Sequence, residues 1–333
     1  MRDVARQAGV SLQSVSNVLN GRNSQMSEET RKRILASIQE LGYQPDSQAR
    51  GLRSQRTNTV AFLTIDPATR FLADPFHVAI LSGMVDVLRE RDYAMFVQGL
   101  EPDSAGLAFQ RLAHQRRFDG AVVHLSGPKE SRAQHIEQLE RSGCPFVLVQ
   151  ERPSASTASC VLADDHGGAA TAVSLLLARG HQRIGFLATA RSWPAVDARK
   201  AGYEQALRAV GNRKPDVWNV EHESIEGART VMEDVLARVP SITAFLCAND
   251  VLAVGALQAA KQLGRVVPSN VAIVGFNDFE FARYVDPPLT TVSLPAYEMG
   301  RRSADMLLEF FEDGKFSTQE VLFPATLVER GTA

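Results

Sequence analysis

Three cysteines in 333 residues, Cys144, Cys160 and Cys247, stand far apart and form no C-x-x-C pair. That scarcity argues against a disulfide framework and a cysteine-ligated zinc cluster, and it fits a reducing compartment. Long apolar runs are missing too. No stretch approaches the ~18 residues of a membrane span, and the opening MRDVARQAGV has no apolar core of the signal-peptide kind. A cytoplasmic location with no membrane partner is the expectation. The motifs G-x-G-x-x-G, G-x-x-x-x-G-K-[ST], H-E-x-x-H and G-x-S-x-G are also absent, so no nucleophile–base constellation can be named. An enzyme is not expected, nor is a cofactor or metal.

What is present is an ordinary globular composition, 44% hydrophobic and 22% charged, over a length that suits two or three domains. The net charge of −2 conceals an asymmetry. Residues 1–57 hold nine Arg and Lys against five acidic residues, whereas the remainder holds 27 against 33. A small basic head on an acidic body suggests a polyanion at one end only.

Three short helices fit that head. Asp3–Ala8 runs to a break at Gly9; Ser11 can cap a second helix to about Leu19; Ser27, followed by Glu28 and Glu29, opens a third that ends at Gly42 with Ile34, Ile38 and Leu41 as its inner stripe. A glycine between two short helices is a helix-turn-helix signature. The polar QPDSQARGLRSQRT that follows reads as a linker able to form one short helix from about Asp46 to Arg53, too short to persist without a partner. From Thr59 the pattern changes to strand runs (TVAFLTI, YAMFVQG, DGAVVHL, PFVLVQ, SCVLAD, RIGFLAT, TAFLCA, VAIVGF, LTTVSL) alternating with helix-length segments such as Phe76–Arg91, Ala198–Val210 and Pro295–Asp313. Short strands EVLFPA and TLVER close the chain. That alternation predicts parallel sheets covered by helices, in two units.

At about 100° per helical residue, Val15, Val18 and Leu19 cluster on one side, with Gln13 and Asn17 nearly opposite and Leu12 at the margin. An amide pairs with the adenine edge in the major groove, and an edge leucine can touch a thymine methyl. Set among basic residues, this face is read as base-contacting.

DVARQAGVSLQSVSNVLNG, followed by SEETRKRILASIQELGYQPDSQARGLRSQRTNTVAFL, resembles the lactose-repressor (LacI/GalR) family of bacterial transcription regulators. The similarity continues in order through DPF, RFDGAVV, RGHQRIGFL, ARKAGY, CANDVLAVGAL, VPSNVAIVGFND, ARYVDPPLTTVSLPAYEMGRRSADMLL and LVERG, nearly the whole chain. The resemblance implies an N-terminal all-α helix-turn-helix domain, a hinge helix, and an α/β periplasmic-binding-protein-like (type I) two-lobed sensor with parallel sheets. The expected boundaries are 1–45, 46–57 and 58–333, with one lobe about 58–159 and 291–320 and the other about 160–290 and 321–333. It further implies that Leu12, Gln13 and Asn17 read bases and that Ser11, Ser14, Ser16 and Asn20 meet phosphates. In the hinge it implies contacts by Ala49 and a minor-groove wedge at Leu52, whose cost in unstacking the duplex is offset by added contact. Many members carry Arg where this chain has Asn17; Arg would favour guanine, so operator preference is expected to differ there.

A ligand of doubly wound lobes belongs where strand C-terminal ends face one another. Asp66, His124 and Gln150 sit at such ends, with Asn249 and Asn277 just after theirs. The resemblance adds Phe76, Trp193, His222 and, as central polar anchor, Arg199, also able to grip a carboxylate or phosphate. Asp250 and Asp278 are read as helix caps and Asp164 as a turn former. Asn277 replaces a common Asp, and Gln150–Glu151 a common Asp–Arg pair, so two carboxylates that often bind sugar hydroxyls are missing.

The expected function is a DNA-binding regulator, a repressor of a palindromic operator, controlled by a sugar-like effector in the cleft. A homodimer is expected, with a tetramer left open although no heptad helix of the tetramer-forming kind follows LVERG. The alternatives are a nucleobase, nucleoside or sugar-acid effector acting as co-repressor and, more remotely, a solute-binding transport protein.

Overall fold

The first helix, α1 (Arg2–Ala8), stops where Gly9 turns left-handed at φ 63° and ψ 40°, a conformation glycine adopts without a steric penalty. In this computed structural model, which describes residues 1–19, 26–43, 56–68, 71–153, 158–211 and 214–333, the chain divides into two compact units, Met1–Asn58 and Thr59–Ala333. Beyond Gly9 the first unit continues with α2 (Leu12–Leu19) and α3 (Glu28–Glu40). Ser11 caps α2 by accepting the Ser14 backbone N–H at 3.1 Å, and Ser27 caps α3 by accepting that of Thr30 at 3.3 Å. Val4, Ala5, Ala8, Val15, Val18 and Ile34 form the buried centre, with Leu19 and Ile38 packed at its edge. Leu41 lies outside it, exposed, because α3 ends at Glu40 and the helical stripe ends with it.

The second unit holds two six-stranded sheets. The first comprises β1 (Thr59–Ile65), β2 (Ala94–Leu100), β3 (Gly120–Leu125), β4 (Phe146–Val149), β5 (Ser159–Ala163) and β11 (Glu320–Phe323), in the order β11-β5-β4-β3-β1-β2 with every pairing parallel. The second comprises β6 (Ile184–Thr189), β7 (Asp216–Val220), β8 (Ala244–Cys247), β9 (Ala272–Asn277), β10 (Thr290–Ser293) and β12 (Thr326–Val328), in the order β12-β10-β9-β8-β6-β7. Only β12 of these runs antiparallel, against β10. Central strands such as β3 and β8 are buried at every position, as expected for parallel strands covered on both faces.

The intervening helices are α4 (Pro75–Glu90), α5 (Ala105–His114), α6 (Lys129–Arg141), α7 (Asp165–Ala178), α8 (Pro194–Ala209), α9 (Ile225–Arg238), α10 (Asp250–Gln262) and α11 (Ala296–Asp313). Where α4 crosses α11, Gly83 and Gly300 let the backbones meet: a Cβ on Gly300 would lie 2.1 Å from the Ile80 carbonyl oxygen.

The chain crosses between the sheets after β5, after β10 and between β11 and β12. The border expected at residues 159/160 would cut β5, which instead pairs with β4 through Val147–Ser159; the one expected at 290/291 would cut β10, which pairs with β9. The first lobe therefore includes Ala163 and the stretch 296–323, and the second holds 164–293 and 326–333. Strand runs are visible in sequence, but their partners are not. DVWNV, which forms β7, was not among the expected strands; it is a half-exposed edge strand with polar residues at both faces. Among the described residues no helix is long and apolar enough to cross a membrane.

Candidate functional site

On α2, the side chains opposite the core are the expected ones. Leu12 is 46% exposed, Gln13 is exposed, and Gln13 donates through Nε2 to Asn17 Oδ1 at 3.0 Å. The Ser11 and Ser14 hydroxyls lie 3.0 Å apart at the helix start. Ser16 is placed differently: it is buried, so it is not part of the surface that Leu12 and Gln13 present. Asn20, Ala49, Leu52 and the hinge segment lie outside the described residues.

In the two-sheet unit, the strand order reverses between β1 and β3 in one sheet and between β6 and β8 in the other, and crevices open at such switch points. Two adjoining cavities, about 490 Å³ and about 50 Å³, lie there. The smaller is lined by Phe76, His124, Gln150, Trp193, Arg199, Asn249 and Asn277, seven of the expected residues, together with Asp74 and Glu223. His222 and Asp66 line the larger one, which Trp193, Asn249, Asp74 and Glu223 also border.

Arg199 on α8 is buried, and its donors are largely committed. Nε donates to Asp165 Oδ1 at 2.7 Å, Nη1 to the Ala248 carbonyl and Nη2 to Asn277 Oδ1 at 3.0 Å, while the guanidinium lies 4.0 Å from the centre of the Phe276 ring. Burial raises the Asp165 carboxyl's pKa and Arg199 pulls it back, so the arginine charge is already matched within the protein. Asn277 at φ 101° and Gln150 at φ 60° hold left-handed conformations that typically cost ~1–3 kcal/mol each and concentrate at binding sites. Gln150 Oε1 accepts the Ala163 N–H, whereas its buried Nε2 lies near Asp165 without meeting an acceptor in hydrogen-bond geometry.

Asn249 caps α10 by accepting the Leu252 N–H and donates to Glu223. The cap is therefore Asn249 and not Asp250, whose buried carboxylate accepts from the Phe279 N–H and the Thr291 hydroxyl. Asp278 likewise caps nothing and pairs with Arg330 at 2.6 Å, while Asp164 caps α7 through the Gly167 N–H. Glu223 opens to solvent in the cavity but is hemmed in by its walls. That restricted hydration, then the Asp74 carboxylate, push its pKa up to about 7.

An aromatic cluster spans the cleft, with Phe76, His77 and His124 on the first lobe and Trp193 on the second. The His124 ring stacks on Trp193 at 4.7 Å, Phe76 lies 5.7 Å from it, and His77, on α4, is 2.8 Å away through Nε2 to His124 Nδ1. Sequence reasoning missed His77, Asp74 and Glu223. Asp74 opens the DPF motif that pointed to Phe76 and His77 follows it, while Glu223 lies just beyond the overlooked β7.

A profile described as "Bacterial regulatory proteins, lacI family" matches residues 1–46, and one described as "Periplasmic binding protein-like domain" matches residues 173–333. The HTH-type transcriptional regulator GalS of Salmonella typhimurium is 30% identical, covering 99% of this chain and 95% of the relative. CelR of Thermobifida fusca, also an HTH-type transcriptional regulator, is 32% identical over 92% and 90%. Among solved structures, the Lac repressor dimer bound to operator and the anti-inducer ONPF matches with a TM-score of 0.87 at 25% identity, covering 99% of this chain and 97% of the other. The CelR–cellobiose complex matches with a TM-score of 0.73 at 28% identity, over 99% and 98%. With a helix-turn-helix head followed by two parallel-sheet lobes around a polar cleft, and relatives aligned from end to end, the chain belongs to the lacI family of bacterial regulatory proteins.

Proposed function

We propose that the chain is a cytoplasmic transcriptional repressor and not an enzyme, one that binds a palindromic operator as a dimer and releases or tightens on it when a sugar-like effector enters the cleft. The observation that carries this reading is the pairing, in one chain, of a Leu12–Gln13–Asn17 face on α2, exposed at Leu12 and Gln13 and half-buried at Asn17, with a cavity bordered by Arg199, Asn249, Asn277 and an aromatic wall. Operator affinity comes mainly from phosphate contacts and falls with salt, while base preference comes from Gln13, Asn17 and Leu12. Linkage requires the effector to bind the DNA-free and DNA-bound forms unequally. The CelR–cellobiose complex supports a sugar, and the Lac repressor–operator complex supports the dimer.

Fluorescence anisotropy with palindromic duplexes drawn from the protein's own promoter region, with and without a panel of neutral sugars, tests both halves. Operator binding shifted by a sugar is the expected result. Operator binding that no sugar shifts, in a protein whose melting no sugar alters, would remove the sugar-like effector.

A further inference from the structure

The His77–His124 pair fixes the polarity of the cleft wall. His77 Nδ1 lies 2.8 Å from the Phe71 carbonyl oxygen, which can only accept, so Nδ1 carries the proton. With that ring uncharged Nε2 is an acceptor, and His124 Nδ1, 2.8 Å from it, is then the donor. Burial is the main cause that holds the His124 pKa well below the usual histidine range, so His124 is neutral. Its remaining nitrogen, Nε2, is a bare lone pair. His124 is 95% enclosed as a residue, yet Nε2 has no partner among the described residues and is not sealed off, and the ring borders the smaller cavity.

The other polar groups around this lone pair are arranged consistently. Asp74 and Glu223 also offer acceptor oxygens to the same cavity. The opposing donors are the spare N–H groups of Arg199 and the Asn277 amide, and the Arg199 charge is matched by Asp165. The other arginine at the cleft, Arg191, is matched by Asp66. Among the described residues both cleft arginines are charge-matched, so neither is left to meet an anion, and the Asp74 carboxylate would repel one.

We infer that the cleft takes an uncharged polyhydroxylated ligand that donates a hydroxyl hydrogen to His124 Nε2, with the Phe71 carbonyl–His77 relay as the device that holds His124 in the accepting tautomer. This rests on the reading of the cleft as the effector site, and it sets aside sugar acids and sugar phosphates. His77 is a positioning residue here: it acts on the ligand through His124.

Two measurements on the full-length protein test it. Long-range 15N–1H spectra of histidine-labelled, ligand-free protein should show both His77 and His124 protonated at Nδ1 and bare at Nε2; a proton on His124 Nε2 overturns the inference whatever the ligand. Calorimetry with D-glucose, D-ribose and cellobiose, against D-gluconate and glucose 6-phosphate, should show the neutral sugars favoured at least tenfold. For the neutral sugar that binds best, His124→Phe, which keeps an aromatic ring against Trp193, should weaken binding about tenfold. The deoxyfluoro analogue at the donating hydroxyl should lose as much against the native protein, with no further loss in the variant. Tighter binding of an anion than of its neutral counterpart, or fluoro and His124→Phe losses that simply add at every position, overturns the inference while leaving an effector site in place. If none of the sugars binds, the proposed effector class falls with it, and the tautomer result is read separately from the spectra.

Discussion

Arg191, from the loop after β6, places Nη1 2.8 Å from Oδ1 of Asp66 at the end of β1, joining the two lobes across the cleft mouth. The same loop is held twice more: the Gly127 N–H donates to the Ser192 carbonyl at 2.8 Å, and buried Arg132 on α6 donates to Ser192 Oγ at 3.2 Å and to Asp197 Oδ2 at 3.4 Å. Because Trp193 follows directly, the segment that bridges the lobes also seats its ring on His124. Arg191 is 41% exposed, so its pair is worth only ~0–1 kcal/mol of folding stability. Arg191→Ala is therefore expected to melt close to the native temperature but to bind the cleft ligand several-fold more weakly and to raise the radius of gyration of the liganded protein. Unchanged affinity and scattering would mean the bridge does not help hold the lobes closed.

Arg199 and Asp165 are 4% and 3% exposed and depend on each other. Removing one partner leaves an uncompensated buried charge, typically a loss of ~3–5 kcal/mol. Arg199→Ala should thus lower the urea midpoint sharply, and Asp165→Ala added to it should recover part of the loss. A double variant no more stable than the single one would show that the pair is not coupled. The same dependence makes Arg199→Ala a poor lone test of ligand contact, because lost binding would be mixed with lost stability.

Glu223 supplies a pH prediction. Its folded pKa, about 7, stands above the 4.5 of an ordinary glutamate, because the cavity walls limit its hydration and Asp74 faces it. A raised acid pKa stabilises the fold fully below the unfolded value, and the contribution is lost as pH rises through the folded one. Relative to Glu223→Gln, the native protein should therefore lose thermal stability between about pH 4.5 and 7, and Asp74→Asn should shrink that difference. Melting curves of the three proteins at both pH values decide it; a native-minus-variant difference that is flat with pH would show that Glu223 titrates normally.

Local signals made the head and most strands readable. Gly9, Ser11 and Ser27 announce helix ends through backbone chemistry that depends on near neighbours alone, and central strands such as β3 are unbroken apolar runs. DVWNV alternates too little and is too short to stand out, and its loss hid Glu223 just beyond it. Seven of the nine expected ligand residues line one small cavity because strand ends converge at the switch points, a property of the fold and not of any one motif. What no local pattern could show is the pairing of distant residues. His77 meets His124 across 47 positions, and Arg199 is charge-matched by Asp165, which changed it from a free anion grip to a committed anchor.

Asn17 carries the prediction about DNA. The hydrogen bond from Gln13 Nε2 to its Oδ1 leaves the Asn17 amide hydrogens and the Gln13 oxygen as the polar atoms this pair can offer to base edges. Such a pair suits an adenine edge, and replacing Asn17 with Arg substitutes a fork that matches guanine O6 and N7. Asn17→Arg should accordingly move the preference at one base pair of each half-site towards G·C by ~1–3 kcal/mol and steepen the salt dependence, since a charge is added. Asn17→Ala should flatten the preference at that same base pair while keeping most phosphate-driven affinity. Gln13→Ala, which frees Asn17 Oδ1, serves as the coupling control. Anisotropy titrations against operators varied one base pair at a time read all of these. If the native protein, Asn17→Ala and Asn17→Arg rank the bases identically at every position, α2 does not read sequence through Asn17.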